Sequence, residues 1–359
     1  MRMYHKLLMA IVLVSLLAMV LPASVATADE IVDIPDANLE DAIRDALNKP
    51  FGDIYDTELA TLTTLQATGR EIGNLTGLEY CTNLTTLWLS VNQINNTVPL
   101  SNLDNLANLY LSFNEISDVS ALSSLTSLTT LDLRDNKISD ISALSGLTSL
   151  TELHLSKNQI SDVSVLSGLT NLTELYISNN QISEISALSS LISLTHFYAG
   201  NNTISDISVL SSLYSLDQLY LYENLIIDIS PLVANAGLAF GDWVNLRHNP
   251  LSTDSVEIHI PALQDRDVTV FYDRGEGCFI ATAAYGTSTA EEIDTLRAFR
   301  DEVLLESTVG SQLVEWYYQT SPPVADFISE HETLRTLVRE CLVEPVAWLV
   351  EVTGTLWRG

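Results

Sequence analysis

Leucine recurs with a fixed period over the middle of this chain. Eight units begin 22 residues apart, and most of them read L-x-x-L-x-L-x-x-N-x-I. The second half of each unit adds apolar residues at constant offsets, such as Ile141, Leu144 and Leu147. Such a period indicates a repeat protein in which neighbouring units share one core, because a single unit cannot bury its own leucines. The units begin at Leu62, Leu84, Leu106, Leu128, Leu150, Leu172, Leu194 and Leu216.

The pattern within a unit predicts its secondary structure. The L-x-L alternation is typical of a short strand with one buried face, and equivalent strands stack in parallel about 4.8 Å apart. The return half is rich in serine and aspartate, which compete with a helix by bonding their own backbone, so it predicts 3₁₀ turns. We therefore predict an α/β solenoid: a leucine-rich-repeat horseshoe with its parallel β-sheet on the concave face and 3₁₀ turns on the convex face.

Two polar columns follow the same period. The asparagine of each unit lies where the strand ends, and its amide both donates and accepts, so we predict a structural role for it. The acidic residue of each turn invites a calcium hypothesis, but capping of the short turns by its carboxylate fits better. The asparagines are Asn92, Asn114, Asn136, Asn158, Asn180, Asn202 and Asn224, and the acids are Asp118, Asp140, Asp162, Glu184, Asp206 and Asp228.

With the run Ile34 to Ile43 ahead of it, the 22-residue unit resembles the repeat domain and helical cap of internalin-type bacterial surface proteins, over roughly residues 31 to 273. Asp36 or Asn38 is suited to cap a helix that carries Leu39, Ile43 and Leu47 on one face. We predict a signal peptide at 1–28, the helical N-terminal cap at 29–61, the repeats at 62–237, a C-terminal cap and linker at 238–275, and a small helical domain at 276–359.

The residue between the two inward leucines of each strand faces the opposite side, where a ligand has access. Five of the eight residues at this position are aromatic, although aromatic residues make up 7% of the chain. Tyrosine and tryptophan offer large contact area and a polar tip, which suits recognition; packing of ring on ring within the ladder is the structural alternative. After Gln66, the predicted ligand-binding residues are Trp88, Tyr110, Asp132, His154, Tyr176, Tyr198 and Tyr220.

Charge limits the partners of the chain. It has 46 acidic and 16 basic residues, and its formal net charge is -30. Phosphate backbones and anionic lipids would repel it, so we do not expect nucleic-acid binding.

The first residues resemble a secretory signal. Arg2 and Lys6 precede an apolar run from Leu7 to Leu21, and small residues up to Ala28 offer a cleavage site. The run is shorter than the roughly 20 residues that span a bilayer. We expect cleavage near Ala28, export to the cell surface or medium, and a mature chain without a transmembrane segment.

A different composition begins at Cys278. The runs Cys278 to Thr287 and Tyr317 to Pro323 resemble the CFI-box, a small C-terminal domain found on unrelated bacterial proteins. Two hypotheses apply here. The stronger is a disulfide between Cys278 and Cys341, and the other is a Cys278–His331 nucleophile. Cys81 occupies an apolar repeat position and is expected to be a buried thiol.

The sequence thus predicts a monomeric recognition protein that is not an enzyme and carries no metal or cofactor. Its expected ligand is a protein or peptide on the concave face, as the internalin resemblance also implies. Glycan binding by the aromatic column is the alternative, and thiol-dependent hydrolysis in the C-terminal domain is a weaker one.

Overall fold

The computed structural model describes residues 29–252, 254–273, 296, 328, 331–348 and 350. The predicted signal peptide at 1–28 and most of the predicted CFI-box domain, including Cys278, lie outside the described residues. None of the described helices is long and apolar enough to cross a membrane.

Ten short strands form one parallel sheet in sequence order, which confirms the predicted solenoid. The repeat sets the register: Leu131 pairs with Leu153, and Leu153 with Leu175. After the eighth unit, β9 continues the sheet, and β10 closes it. The strands are β1 Thr64–Gln66, β2 Thr86–Trp88, β3 Asn108–Tyr110, β4 Thr130–Asp132, β5 Glu152–His154, β6 Glu174–Tyr176, β7 His196–Tyr198, β8 Gln218–Tyr220, β9 Trp243–Asn245 and β10 Thr269–Phe271.

The core is a single column of apolar side chains that runs the length of the solenoid. In the unit that starts at Leu128, the leucines 131 and 133 of the strand and the turn residues Leu144 and Leu147 are all fully buried. Burial of each such side chain contributes about 1.5–3 kcal/mol, and neighbouring units share this contribution across their interface.

The return halves form 3₁₀ turns, as predicted. They are Leu78–Tyr80, Val98–Leu100, Ser120–Leu122, Ser142–Gly146, Ser164–Gly168, Ser186–Ser190 and Ser208–Ser212, and helix α3, Ser230–Ala234, replaces the turn in the eighth unit.

Carboxylates cap these turns, which supports capping over calcium binding. The backbone N–H of Ser142 donates to Asp140 Oδ1 at 2.8 Å, and five of the six predicted acids make this contact. The hydrogen bond lowers the pKa of Asp140 below its ordinary value. Among the described residues, no group of three or more potential metal ligands occurs.

The asparagines have the predicted structural role. Asn136 Oδ1 accepts from the Ile116 N–H at 3.0 Å, and its Nδ2 donates to Leu111 O at 3.0 Å and to Leu133 O at 3.1 Å. Ile116 and Leu111 belong to the preceding unit, so each asparagine ties its own unit to the one before it.

A residue in the left-handed conformation precedes each of these asparagines, and the repeat pattern does not predict this conformation. Val91, Phe113 and Lys157 have φ values of 60, 57 and 56°. This conformation costs a non-glycine residue about 1–2 kcal/mol, and asparagine tolerates it better than other residues do. Asn179 and Asn201 occupy the same column.

A helix covers the first repeat, as predicted. Helix α1 spans Ala37–Leu47 and buries Leu39 and Ile43, and the short helix α2, Asp56–Leu59, follows it. Asp36 caps α1 through Oδ1, while its Oδ2 accepts from the backbone N–H of Gly73 at 2.8 Å. Burial opposes ionisation of this carboxyl, but the hydrogen bonds from backbone N–H groups outweigh it and lower the pKa of Asp36.

At the other end, a π turn over Ser255–His259 leads into helix α4, Ile260–Gln264, before β10. In the C-terminal region, helix α5, Glu332–Val338, continues as a π turn over Arg339–Val343. Cys341 is an exposed free thiol, which contradicts the hypothesis of a disulfide between it and Cys278. Cys81 is buried as predicted, and desolvation raises its pKa to about 12.

Candidate functional site

The sheet places the seven predicted residues in one row across the concave face. Each is the third residue of its strand, and consecutive members are register partners from Trp88 on β2 to Tyr220 on β8. At about 4.8 Å per strand, the row is roughly 30 Å long. We call its six ring-bearing members the aromatic ladder: Trp88, Tyr110, His154, Tyr176, Tyr198 and Tyr220.

The rings of the ladder lie parallel to one another in two groups. His154 and Tyr176 have ring centroids 4.1 Å apart, and the Tyr176–Tyr198 and Tyr198–Tyr220 pairs follow at 4.5 Å each. Trp88 and Tyr110 are also parallel, at 6.0 Å. The rings of the longer group therefore cover each other's faces and still remain partly exposed to solvent.

Asp132 interrupts the ladder. It is buried, although the sequence predicted that it would be accessible to a ligand. It lies in the same row but is only 3% exposed. The guanidinium of Arg134 covers it, with Nε and Nη2 donating to the two carboxylate oxygens at 3.0 and 2.7 Å. This hydrogen bonding raises the pKa of Arg134. A planar ion pair thus takes the position where the neighbouring units have a ring.

Three residues of the ladder bond to the row formed by the first residue of each strand. Tyr176 donates its hydroxyl hydrogen to Glu174 Oε2 at 2.7 Å, and Tyr198 donates to Gln218 Oε1 at 2.6 Å. His154 Nε2 lies 2.6 Å from Glu152 Oε1. Partial burial raises the pKa of Tyr176 most, and the hydrogen bond to Glu174 raises it further. The phenol therefore stays protonated and remains a donor.

Small residues flank the ladder on its other side and leave an open depression there. It encloses about 310 Å³ and is lined by Phe113, Arg134, Asp135, Ser156, Lys157, Tyr176, Ser178, Asn179 and Tyr198. Farther along the same row, the Tyr222 ring lies against Gly200, where an added Cβ would overlap it.

Two ion pairs border the depression. One is Arg134–Asp132, and the other joins Lys157 Nζ to Asp135 Oδ2 at 3.2 Å. Lys157 also lies 5.9 Å from the centroid of the Phe113 ring, which is 49% exposed. The repeat pattern does not predict that Phe113 and Lys157 come together, because the left-handed column to which both belong is not visible in it.

Three stretches of the chain, residues 104–146, 148–190 and 192–234, match a family model described as Leucine Rich repeats (2 copies). No curated protein matches the sequence.

Several solved structures are similar to the chain. Internalin C2 of Listeria monocytogenes is 38% identical with a TM-score of 0.54, and the match covers 61% of this chain and 93% of that one. The functional domain of InlJ from the same organism is 26% identical with a TM-score of 0.51, over 66% of this chain and 54% of that one.

A leucine-rich-repeat protein of Leptospira interrogans shares the fold at 24% identity and a TM-score of 0.55, over 59% of this chain and 55% of that one. The resemblance to a CFI-box stays a prediction. The repeat length and the helical cap agree with the resemblance to internalins, and the 38% identity extends over nearly all of internalin C2. The chain belongs to the internalin-type leucine-rich-repeat proteins.

Proposed function

We propose that this chain is a secreted or cell-surface recognition protein that binds a protein or peptide ligand through the aromatic ladder on its concave face. The observation that carries the proposal is the ladder itself, a set of partly exposed rings in register on consecutive strands. Aromatic side chains dominate many protein interfaces because they bury a large area with few rotatable bonds. Export rests on the signal-like sequence of residues 1–28.

Stacking within the ladder favours a protein ligand over a glycan. A sugar ring packs against an open aromatic face, whereas both faces of Tyr176 and Tyr198 are covered by neighbouring rings. The accessible ring edges, hydroxyl-bearing neighbours and charged side chains form an extended, mixed surface instead. Protein interfaces have this combination of aromatic anchors and polar rim.

The net charge affects how a ligand approaches. At -30, the chain attracts basic partners over a distance of about one Debye length and slows the approach of acidic ones. Association is therefore expected to weaken as salt concentration rises if the partner is basic.

The proposal is tested by measuring binding of the chain to a displayed library of random peptides and to a glycan array. The parent chain is compared with single alanine variants at five positions of the ladder: Trp88, Tyr110, Tyr176, Tyr198 and Tyr220. Alanine at two or more of these positions should weaken peptide binding by about 2 kcal/mol each, which is roughly 30-fold in Kd. Thermal unfolding of each variant verifies that the domain is intact.

Ser145→Ala and Ser189→Ala are the matched controls, because both serines are exposed in convex turns. The proposal is wrong if these changes abolish binding while the ladder tolerates alanine. Glycan binding that depends on the ladder would instead support the glycan alternative, and turnover of a thioester that disappears in Cys278→Ala would support an enzyme.

A further inference from the structure

The depression beside the ladder has no uncompensated charge to offer a ligand. Arg134 is paired with the buried Asp132 at 2.7 Å, and Lys157 is paired with Asp135 at 3.2 Å. A carboxylate from a ligand would meet Asp135 at the rim, and an ammonium group would meet the two cations. Either one would have to separate an existing pair, so the electrostatics favour a neutral guest.

The walls of the depression are flat and aromatic or guanidinium in character. The rings of Phe113, Tyr176 and Tyr198 line it together with the Arg134 side chain. Because the Tyr176 and Tyr198 hydroxyls bond to Glu174 and Gln218, these rings do not use their polar ends on the depression. Cations such as Arg134 and Lys157 attract the face of an aromatic guest.

Two hydroxyl groups lie on the lining without partners of their own. Over the described part of the chain, neither Ser156 Oγ nor Ser178 Oγ takes part in a hydrogen bond, whereas the equivalent Ser112 donates to Ser90 Oγ at 2.9 Å. Each free hydroxyl is able to donate and to accept. A guest with a polar tip would satisfy them.

The volume of the depression also limits the guest. At about 310 Å³ it lies at the bottom of the range of roughly 300–1,000 Å³ that is typical of small-molecule pockets. This space suits one large side chain rather than a whole oligosaccharide or cofactor.

We propose that the depression receives a single aromatic side chain with a polar tip, tyrosine above all, as the anchor of the protein ligand. The ring enters between Phe113 and the tyrosines of the ladder, and its hydroxyl reaches Ser156 and Ser178. This inference rests on the proposed function and names the residue type that the concave face selects.

The test uses ligand-observed saturation-transfer NMR on the full chain, with five capped amino acids as probes. They are N-acetyl amides of tyrosine, tryptophan, leucine, glutamate and lysine, each at millimolar concentration. We expect the strongest saturation for tyrosine, then tryptophan, and little for the other three. Ser178→Leu, which fills the depression, and Phe113→Ala, which removes one wall, should each reduce the tyrosine signal at least fivefold, while Ser189→Leu on the convex side leaves it unchanged.

Equal or stronger saturation of the glutamate or lysine probe, lost in the same two variants, would overturn the proposal, as would a tyrosine signal that neither variant changes. Peptides selected by display separate this inference from the proposed function. If they bind through Trp88 and Tyr110 but contain no aromatic residue and ignore Ser178→Leu, the anchor is wrong and the concave-face function stands. If no peptide depends on the ladder, the proposed function itself fails.

Discussion

The Arg134 guanidinium lies on the Asp132 carboxylate with two hydrogen bonds, and the pair fills the gap between the two groups of stacked rings. Asp132 is buried, while the Arg134 side chain is 46% exposed. The carboxylate therefore depends on Arg134 more than Arg134 depends on the carboxylate, because the buried carboxylate has already lost its solvation and Arg134 supplies the charge that compensates it.

Removal of Arg134 should destabilise the chain, and replacement of the whole pair should not. We expect Arg134→Ser to lower the free energy of unfolding by about 1–2 kcal/mol, near the low end for a charged hydrogen bond because Arg134 is partly solvated. The double variant Asp132→Tyr/Arg134→Ser copies the neighbouring units and should return to within about 1 kcal/mol of the parent. Urea unfolding of the two single variants and the double variant measures the coupling, and additivity within about 0.3 kcal/mol would contradict it.

Val91 should be replaceable with a gain in stability. It is a β-branched residue at φ 60° and is 55% exposed, so it contributes strain and little burial. We expect Val91→Asn to raise the free energy of unfolding by about 1 kcal/mol, since asparagine accepts the left-handed conformation. Val91→Ala serves as the control, because it removes the β-branch and keeps an ordinary Cβ. A loss of stability in the asparagine variant, measured by chemical denaturation, would disprove the strain argument.

The two faces of β5 and β6 should differ in their tolerance to alanine. Leu153 is fully buried, so Leu153→Ala should cost about 2–5 kcal/mol. Tyr176→Ala should cost much less, about 1–2 kcal/mol, because it removes a half-buried stacked ring and one hydrogen bond without opening the core. Calorimetric unfolding of both variants provides the comparison. Equal costs would mean that Tyr176 belongs to the core.

The capped turns should make stability sensitive to acid. Hydrogen bonds from serine N–H groups lower the pKa values of Asp118, Asp140, Asp162 and Asp206 below the ordinary 3.8. A carboxyl with a lowered folded-state pKa stabilises the fold above about pH 4, and this contribution disappears as pH falls through the lowered values. Asparagine still accepts the bond but does not titrate. A variant with all four changed to Asn should therefore have a flatter stability profile between about pH 4 and pH 2 than the parent, and an unchanged slope would exclude this cause.

Cysteine labelling should distinguish the two described thiols. Cys341 is exposed, whereas Cys81 is buried and has a pKa of about 12, so its reactive thiolate is scarce. Brief treatment of the folded chain with iodoacetamide at pH 8, followed by peptide mass mapping, should modify Cys341 and leave Cys81 unmodified. Cys81 should react only after denaturation. Labelling of Cys81 in the folded chain would show that the first repeat opens on the time scale of the reaction.

The repeat pattern was sufficient to predict the fold because the same physical requirement recurs in every unit. Leu153 and Leu155 must point inward, so His154 between them must point to the opposite side, and the predicted row across the sheet follows. The asparagine column was also predictable, since backbone groups at a strand end need partners. Helix α1 was predictable from Asp36 and the spacing of Leu39 and Ile43.

Interactions between units were harder to predict, because they depend on side-chain directions that vary from unit to unit. Nothing in the spacing indicates that Arg134 folds back over Asp132 and buries it. The depression stays open because the tyrosine hydroxyls donate to the row formed by the first residues of the strands, and the spacing of the repeat does not specify these acceptors. Asn179 and Asn201 indicate the left-handed column, because asparagine favours that conformation. Val91 and Phe113 occupy the same position in other units and do not favour it, so the column is hard to recognise from the sequence.

The asparagine column gives assembly of the solenoid a direction. Each of these side chains makes its inter-unit hydrogen bonds to the unit on its N-terminal side, as Asn136 does to Leu111 and Ile116. During synthesis from the N-terminus, the unit that carries the bonding partners therefore emerges before the asparagine that needs them, beginning from the first repeat, which α1 covers. A chain truncated at its C-terminal end can keep every asparagine bond of its remaining units, whereas one truncated at its N-terminal end leaves its first asparagine without a neighbour.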